Sequence, residues 1–225
     1  VIVGVDEPMV KQWIDEQEII AVKPNEQTDA RALAAKIGLI KAIKDYDLKR
    51  VISFHSRVKG AKEFSEELLD VVDLIDPIHR PKGVFLADYV SGIMKAGDRK
   101  DKIDRLKLLE DFSIGILSNS RCLAEGVDVP SLDGVAFIDP KGSQIEIIQA
   151  VGRAIRKVRE AKVQTKGTIV IPVFIEEGDE PETSIEASNF KPVWDVLKAL
   201  RSHDEILAET LDQYRTNMAK NTLKS

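Results

Sequence analysis

With 225 residues, 43% hydrophobic and 32% charged, the chain has the make-up of one sizeable globular domain with appendages. No apolar run approaches the roughly 20 residues that span a bilayer, and the start has neither the basic flank nor the cleavage pattern of a signal peptide. A net charge of −5 excludes a general affinity for polyanions, so any nucleic-acid contact must come from a local patch. The lone Cys122 rules out an internal disulfide and suits a reducing cytoplasm. His55, His79 and His203 stand at no ligand spacing, so no protein-bound metal is expected.

Val1 to Val5 reads as a strand, and the chain opens without Met, as a piece of a longer protein would. From Thr28 the spacing predicts a helix with Leu33, Ala34, Ile37 and Ile40 on one side. Val51 to Ser56 reads as a brief buried strand, and the helix after it turns Val58, Ala61, Phe64 and Leu68 inward. Residues 71–83 read as a connection, and Val84 to Val90 as a strand punctuated by Ser91-Gly92. Asp98 to Asp111 predicts a charged helix capped by Asp98, with Ile103, Leu106 and Leu109 dry. Ile114 to Leu117 is an apolar strand, after which Ser118 to Cys122 reads as the opening of a short helix that stops near Gly126.

Leu132 to Asp139 and Thr168 to Ile175 predict two more strands, the second carrying Pro172 and therefore at an edge or bulged. The acidic stretch 176–188 reads as a solvated linker. Pro192 to Leu200 and Asp204 to Met218 predict two tail helices, with Trp194, Leu197, Leu200, Leu207 and Leu211 available to pack. Short apolar strands alternating with helices imply an α/β fold of three layers around a mostly parallel sheet, followed by a C-terminal helical extension. The division is 1–27 as strand and linker, 28–175 as the domain, and 176–225 as loop and tail.

In such a sheet ligands collect at the carboxyl ends of the strands. The residues there are polar in three successive turns: His55, Ser56 and Arg57; Ser91 and Gly92; Ser118, Asn119, Ser120 and Arg121. Short hydroxyls and amides beside helix amino ends suit phosphate oxygens; helix capping is their commoner use. Gly126 permits a turn that a side chain would obstruct, and Asp128 offers two acceptors suited to a ribose hydroxyl, or simply a turn.

Ser143 and Glu146 form a capping box for a further helix, whose predicted buried face is Ile148, Val151, Gly152 and Ile155. Gln149, Arg153 and Arg156 fall on one stripe beside it, an arrangement that suits a polyphosphate as well as a solvated surface. Arg153, Arg156, Lys157, Arg159, Lys162 and Lys166 meet only Glu160, a local basic patch.

The succession Ser-Arg-Cys-Leu-Ala-Glu-Gly-Val-Asp-Val-Pro, Asp-Pro-Lys-Gly-Ser and Gln-Ala-Val-Gly-Arg-Ala-Ile-Arg resembles motifs V and VI of superfamily 2 helicases. Val51 to Phe64 resembles their motif IV, and Val90-Ser91-Gly92 with Arg99 the segment between. The wording is similar to that of restriction-type and phage or plasmid helicases, more than to DEAD-box members, whose motif VI opens with His where Gln149 stands.

The resemblance implies the second RecA-like domain of a two-domain, ATP-driven DNA motor. Arg153 and Arg156 match arginine fingers aimed at the γ-phosphate, Gln149 matches a residue that helps position it, and Gly126 and Asp128 match positions near the nucleotide. Ser118, Asn119, Ser120, His55, Ser56, Arg57 and Gly92 match contacts to the nucleic-acid backbone. There is no Gly-x-x-x-x-Gly-Lys-Ser/Thr loop and no Asp-Glu box after an apolar strand. ATP with Mg²⁺ is therefore expected to bind mainly to an N-terminal RecA-like partner domain, and the piece alone to be inactive. The alternative is a noncatalytic RecA-like platform for nucleic acid or protein.

Overall fold

The computed structural model describes residues 4–6, 30–75, 80–120, 122, 132–139, 147–149, 151, 168–175, 181–186, 188 and 190–201. The expected elements at 1–3, 7–29, 123–131 and 202–225 lie outside the described residues, as do Ser143, Glu146, Gly152 and Ile155.

In order, the elements are β1 (Gly4–Asp6), α1 (Ala30–Asp45), β2 (Arg50–His55), α2 (Val58–Leu74), β3 (Val84–Ser91), α3 (Ala96–Lys107), β4 (Ser113–Ser120), β5 (Gly134–Asp139), β6 (Thr168–Val170), β7 (Val173–Ile175), α4 (Pro181–Glu186) and α5 (Lys191–Arg201). Five strands form a parallel sheet in the order β3-β4-β2-β5-β6, and β1 pairs in parallel with β7. The expected three-layer α/β architecture is present.

Alternation along the strands assigns each side chain to a layer. Val51 of β2 packs with α1 and α2 through Leu33, Ile37, Ile40, Phe64 and Leu68. Its neighbour Ile52 points the other way, toward α3, α5 and the helical residues Ile147 and Val151. Gly115 of β4 allows α3 to come this close, because a Cβ there would sit 2.6 Å from the Leu106 side chain and 2.5 Å from that of Leu109. At the sheet's amino edge the Asp133 carboxylate accepts the backbone N–H groups of Lys49 and Arg50, at 3.1 and 2.8 Å.

Lys36 is an exception within the apolar layer. It is 1% exposed, its ammonium lies 2.6 Å from the Glu67 carboxylate on α2, and it sits 5.7 Å from the Phe64 ring centre. Charge and ring together offset the loss of hydration and tie α1 to α2.

β3 is the outer strand of the sheet. Towards its carboxyl half, Lys102 of α3 bonds the Asp88 carboxylate and lies 4.7 Å from the Tyr89 ring, folding charge over the rim. Towards its amino half Val84 and Leu86 are exposed.

Several boundaries differ from the sequence expectation. α2 runs on to Leu74 because Val71 and Val72 continue its buried stripe. α3 starts at Ala96 with Lys95 as its N-cap, so Asp98 lies inside the first turn rather than capping it. Residues 118–120 continue β4 instead of opening a helix, held by pairing to β3 throughout and to β2 at Ser118 and Asn119. The last predicted strand is divided at Pro172, which has no N–H for a ladder, into β6 at the sheet edge and β7 against β1. Part of the acidic stretch is helix α4, anchored by Ile185, which is buried in the core beside Trp194 and Leu197.

Candidate functional site at the carboxyl edge of the sheet

Because β3, β4 and β2 are adjacent, their three polar carboxyl-terminal turns stand side by side. Gly92 N–H donates to the Ser120 carbonyl at 3.3 Å, closing the ends of β3 and β4 onto each other. β5 joins the row through a bulge: Phe54 pairs with Phe137 but His55 pairs with Asp139, leaving Ile138 as the extra residue. That offset carries Asp139 to β2, where its carboxylate accepts the Ser56 hydroxyl.

The expected contact residues divide by exposure. Arg57 and Gly92 are exposed at this edge, whereas Ser118, Asn119, Ser120, His55 and Ser56 are buried. Each buried group has a definable environment. Asn119 Oδ1 accepts the Cys122 backbone N–H at 3.3 Å and its thiol at 3.0 Å, fixing the chain where it leaves β4. Burial pushes the Cys122 thiol up to about 11, against the opposing charge of Arg99, so this sulfur is unreactive at neutral pH.

On the α1/α2 face of the sheet, Ser53 Oγ donates to Ser118 Oγ at 3.0 Å, and His55 Nε2 lies 3.0 Å from Ser53 Oγ. The imidazole packs against Phe64 with ring centres 4.9 Å apart. Burial pushes its pKa down to about 4; Asp139 opposes the shift and Lys36 adds to it, so the ring is neutral at physiological pH. The Ser120 hydroxyl is fully buried and makes no hydrogen bond among the described residues. Such a group costs about 1–3 kcal/mol.

Of the residues expected at a nucleotide, Gln149 is described. It lies half-buried on a helical segment where Val151 is buried as expected, but Ile147 turns inward in place of Ile148, which is 50% exposed. Gly126, Asp128, Arg153 and Arg156 lie outside the described residues, as does Arg121. The donor-bearing hydroxyls and amides at this edge suit anionic phosphate oxygens.

Three structural participants were absent from the expected set: Ser53, Lys36 and Asp139. Ser53 and His55 share one face of an otherwise apolar strand, and Lys36 falls on the same helical stripe as Leu33 and Ile40. Both signals were present as polar residues on faces that had to be buried. Asp139 depends on the bulge, which no local pattern announces.

Residues 35–158 match the family described as "Helicase conserved C-terminal domain". The chain is 34% identical over 120 residues to "Putative helicase 22" of Sulfolobus islandicus filamentous virus (isolate Iceland/Hveragerdi), covering 53% of this chain and 18% of that protein. Among solved structures it is similar to the "ATP-dependent Type ISP restriction-modification enzyme LlaBIII bound to DNA", with 28% identity and a TM-score of 0.70, covering 94% of this chain and 14% of that one. The chain thus spans a small part of the length of both relatives.

Proposed function

Since the chain belongs to the helicase C-terminal domain family, we propose that it is the second motor domain of an ATP-dependent DNA helicase or translocase, working with an N-terminal RecA-like domain of the same protein. One observation carries this reading beyond the family: three polar turns, contributed by separate strands, meet along one sheet edge. Arg57 and Gly92 are the surface contacts to the nucleic-acid backbone, and His55, Ser56, Ser118, Asn119 and Ser120 form the floor beneath them. Grip on phosphates rather than base edges implies little sequence preference and strong salt dependence.

The family resemblance supports Gln149, Arg153 and Arg156 as the residues that face the terminal phosphate, with Gly126 and Asp128 nearer the nucleoside. Planar guanidinium forks disperse charge over several phosphate oxygens, while Gln149 orients them. ATP with Mg²⁺, when bound, supplies the phosphoryl group whose hydrolysis drives the motor. The first domain holds most of that site, and this chain alone does not turn it over. Closing and opening of the two domains moves the grip along one strand. The DNA in the LlaBIII structure supports DNA as the track.

The test is Arg153→Ala in the full-length protein. Nucleic-acid-stimulated ATP hydrolysis is expected to fall by about 10³-fold or more while ATP affinity changes little. Undiminished turnover removes the finger assignment, whereas a full-length protein that does not hydrolyse ATP at all favours a noncatalytic platform.

A further inference from the structure

Where β3 gives way to α3 the chain makes one tight turn. Ser91 is buried and its carbonyl accepts the Met94 backbone N–H at 3.1 Å, while Met94 packs against the core that holds Ile103 and Leu106 of α3. Between these anchors the Ser120 carbonyl holds the Gly92 N–H. At the tip stands Ile93, 85% exposed and the most exposed large apolar side chain among the described residues. A β-branched side chain on a pinned turn has few rotamers to lose, so little ordering opposes its use as a contact.

Single exposed apolar residues are ordinary on a protein surface, and position sets this one apart. Leu108 and Phe112, almost as exposed, follow α3 at the amino end of β4, whereas Ile93 stands at the carboxyl edge beside Gly92. Arg57 follows β2, two strands away in the same sheet, and neighbouring strands lie about 4.8 Å apart, so about 10 Å separates the two turns. Arg57 and Lys95, the N-cap of α3, are both exposed and make no ion pair among the described residues. In the three polar turns Ile93 is the only exposed large apolar side chain described. A nucleic-acid strand presents charged phosphates and the π-faces of its bases; the cations answer the first surface and Ile93 the second.

We propose that Ile93 is the base contact of the nucleic-acid grip: with phosphates held at Arg57 and Gly92, it packs against the face of a base. This rests on the nucleic-acid reading above and adds an apolar component to it. Every base has such a face, so the contact suits a grip with little sequence preference. Salt separates the two components, because a phosphate contact releases counterions and burial of an aliphatic side chain does not.

The test uses the full-length protein and a fluorescein-labelled oligodeoxythymidylate, read by anisotropy over a series of salt concentrations. Ile93→Ala is expected to weaken binding about tenfold with an unchanged salt slope. Ile93→Phe, which keeps an apolar face, should bind within about threefold of the wild type or tighter. Arg57→Ala should weaken binding and lower the slope by about one. Both positions are exposed, so the variants fold as the wild type does. On a fully abasic strand of the same length, wild type and Ile93→Ala should bind alike. Full affinity or an altered slope in Ile93→Ala, or the same loss on the abasic strand, overturns the proposal. So does a fall in ATP turnover with oligonucleotide affinity intact, which would set Ile93 against a neighbouring domain. If Arg57→Ala and Ile93→Ala are both silent, the nucleic-acid reading of this edge fails; silence of Ile93→Ala alone removes only the inference.

Discussion

One face of the central sheet has two halves of equal burial and opposite chemistry. In the amino half of β2 and β4, Val51, Ile114 and Ile116 are at most 2% exposed and pack against α1 and α2. Two and four residues further along the same strands, Ser53, Ser118 and Ser120 are each 0% exposed and His55 7%. Apolar contacts supply stability in the first half. In the second half a pairing of hydroxyls gains little over hydration, and one hydroxyl has no partner among the described residues. A folding sequence with no task at this edge would be expected to continue the Val/Ile pattern, so the contrast supports the proposed ligand edge.

The largest effect that sharpens this contrast lies in the apolar half. Ile116→Ala should lower unfolding free energy by about 4 kcal/mol in urea titration, against about 1–3 kcal/mol for Ser53→Ala, which leaves the buried Ser118 and His55 without this partner. Equal losses at the two positions would erase the distinction.

Next comes pH. In the unfolded chain His55 takes up a proton near its ordinary 6.5, but in the folded chain only near about 4. Between these values the unfolded state binds more protons, so stability falls as pH drops through that window, by about 3 kcal/mol at its lower end. His55→Phe should remove that component of the slope, and an unaltered slope would mean that the ring titrates normally when folded. The smallest effect has the opposite sign: Ser120→Ala, which deletes a buried hydroxyl without a bond, should raise stability by about 1 kcal/mol while weakening oligonucleotide binding. A loss of stability would show that the hydroxyl is satisfied.

The layered α/β plan was legible because runs such as Val-Ile-Ser-Phe-His and Ile-Gly-Ile-Leu alternate with helical stripes over long segments. What escaped depended on partners distant in sequence. Ser118-Asn119-Ser120 has the composition of a helix cap, yet flanking strands on both sides hold it extended. Ile147 and Ile148 are adjacent and equally apolar, so periodicity cannot decide which turns inward; packing on Phe137 and its neighbours selects Ile147. The acidic run around 176–188 conceals a short helix that depends on one apolar residue, Ile185, finding a core built elsewhere. At the candidate site the three turns were readable, but their division into an exposed rim of Arg57 and Gly92 and a buried floor was not, because burial depends on which helix lies above.

The outer rim of β3 has a consequence for handling the protein. Lys102 and Asp88 put charge across its carboxyl half, which discourages another polypeptide from adding a strand there. Among the described residues the amino half has no such guard over Val84 and Leu86, at 62% and 51% exposure. In concentrated solution any self-association is expected to start from that half, and Val84→Lys is the simplest change to improve solubility without touching the proposed ligand edge at the opposite end of the strand.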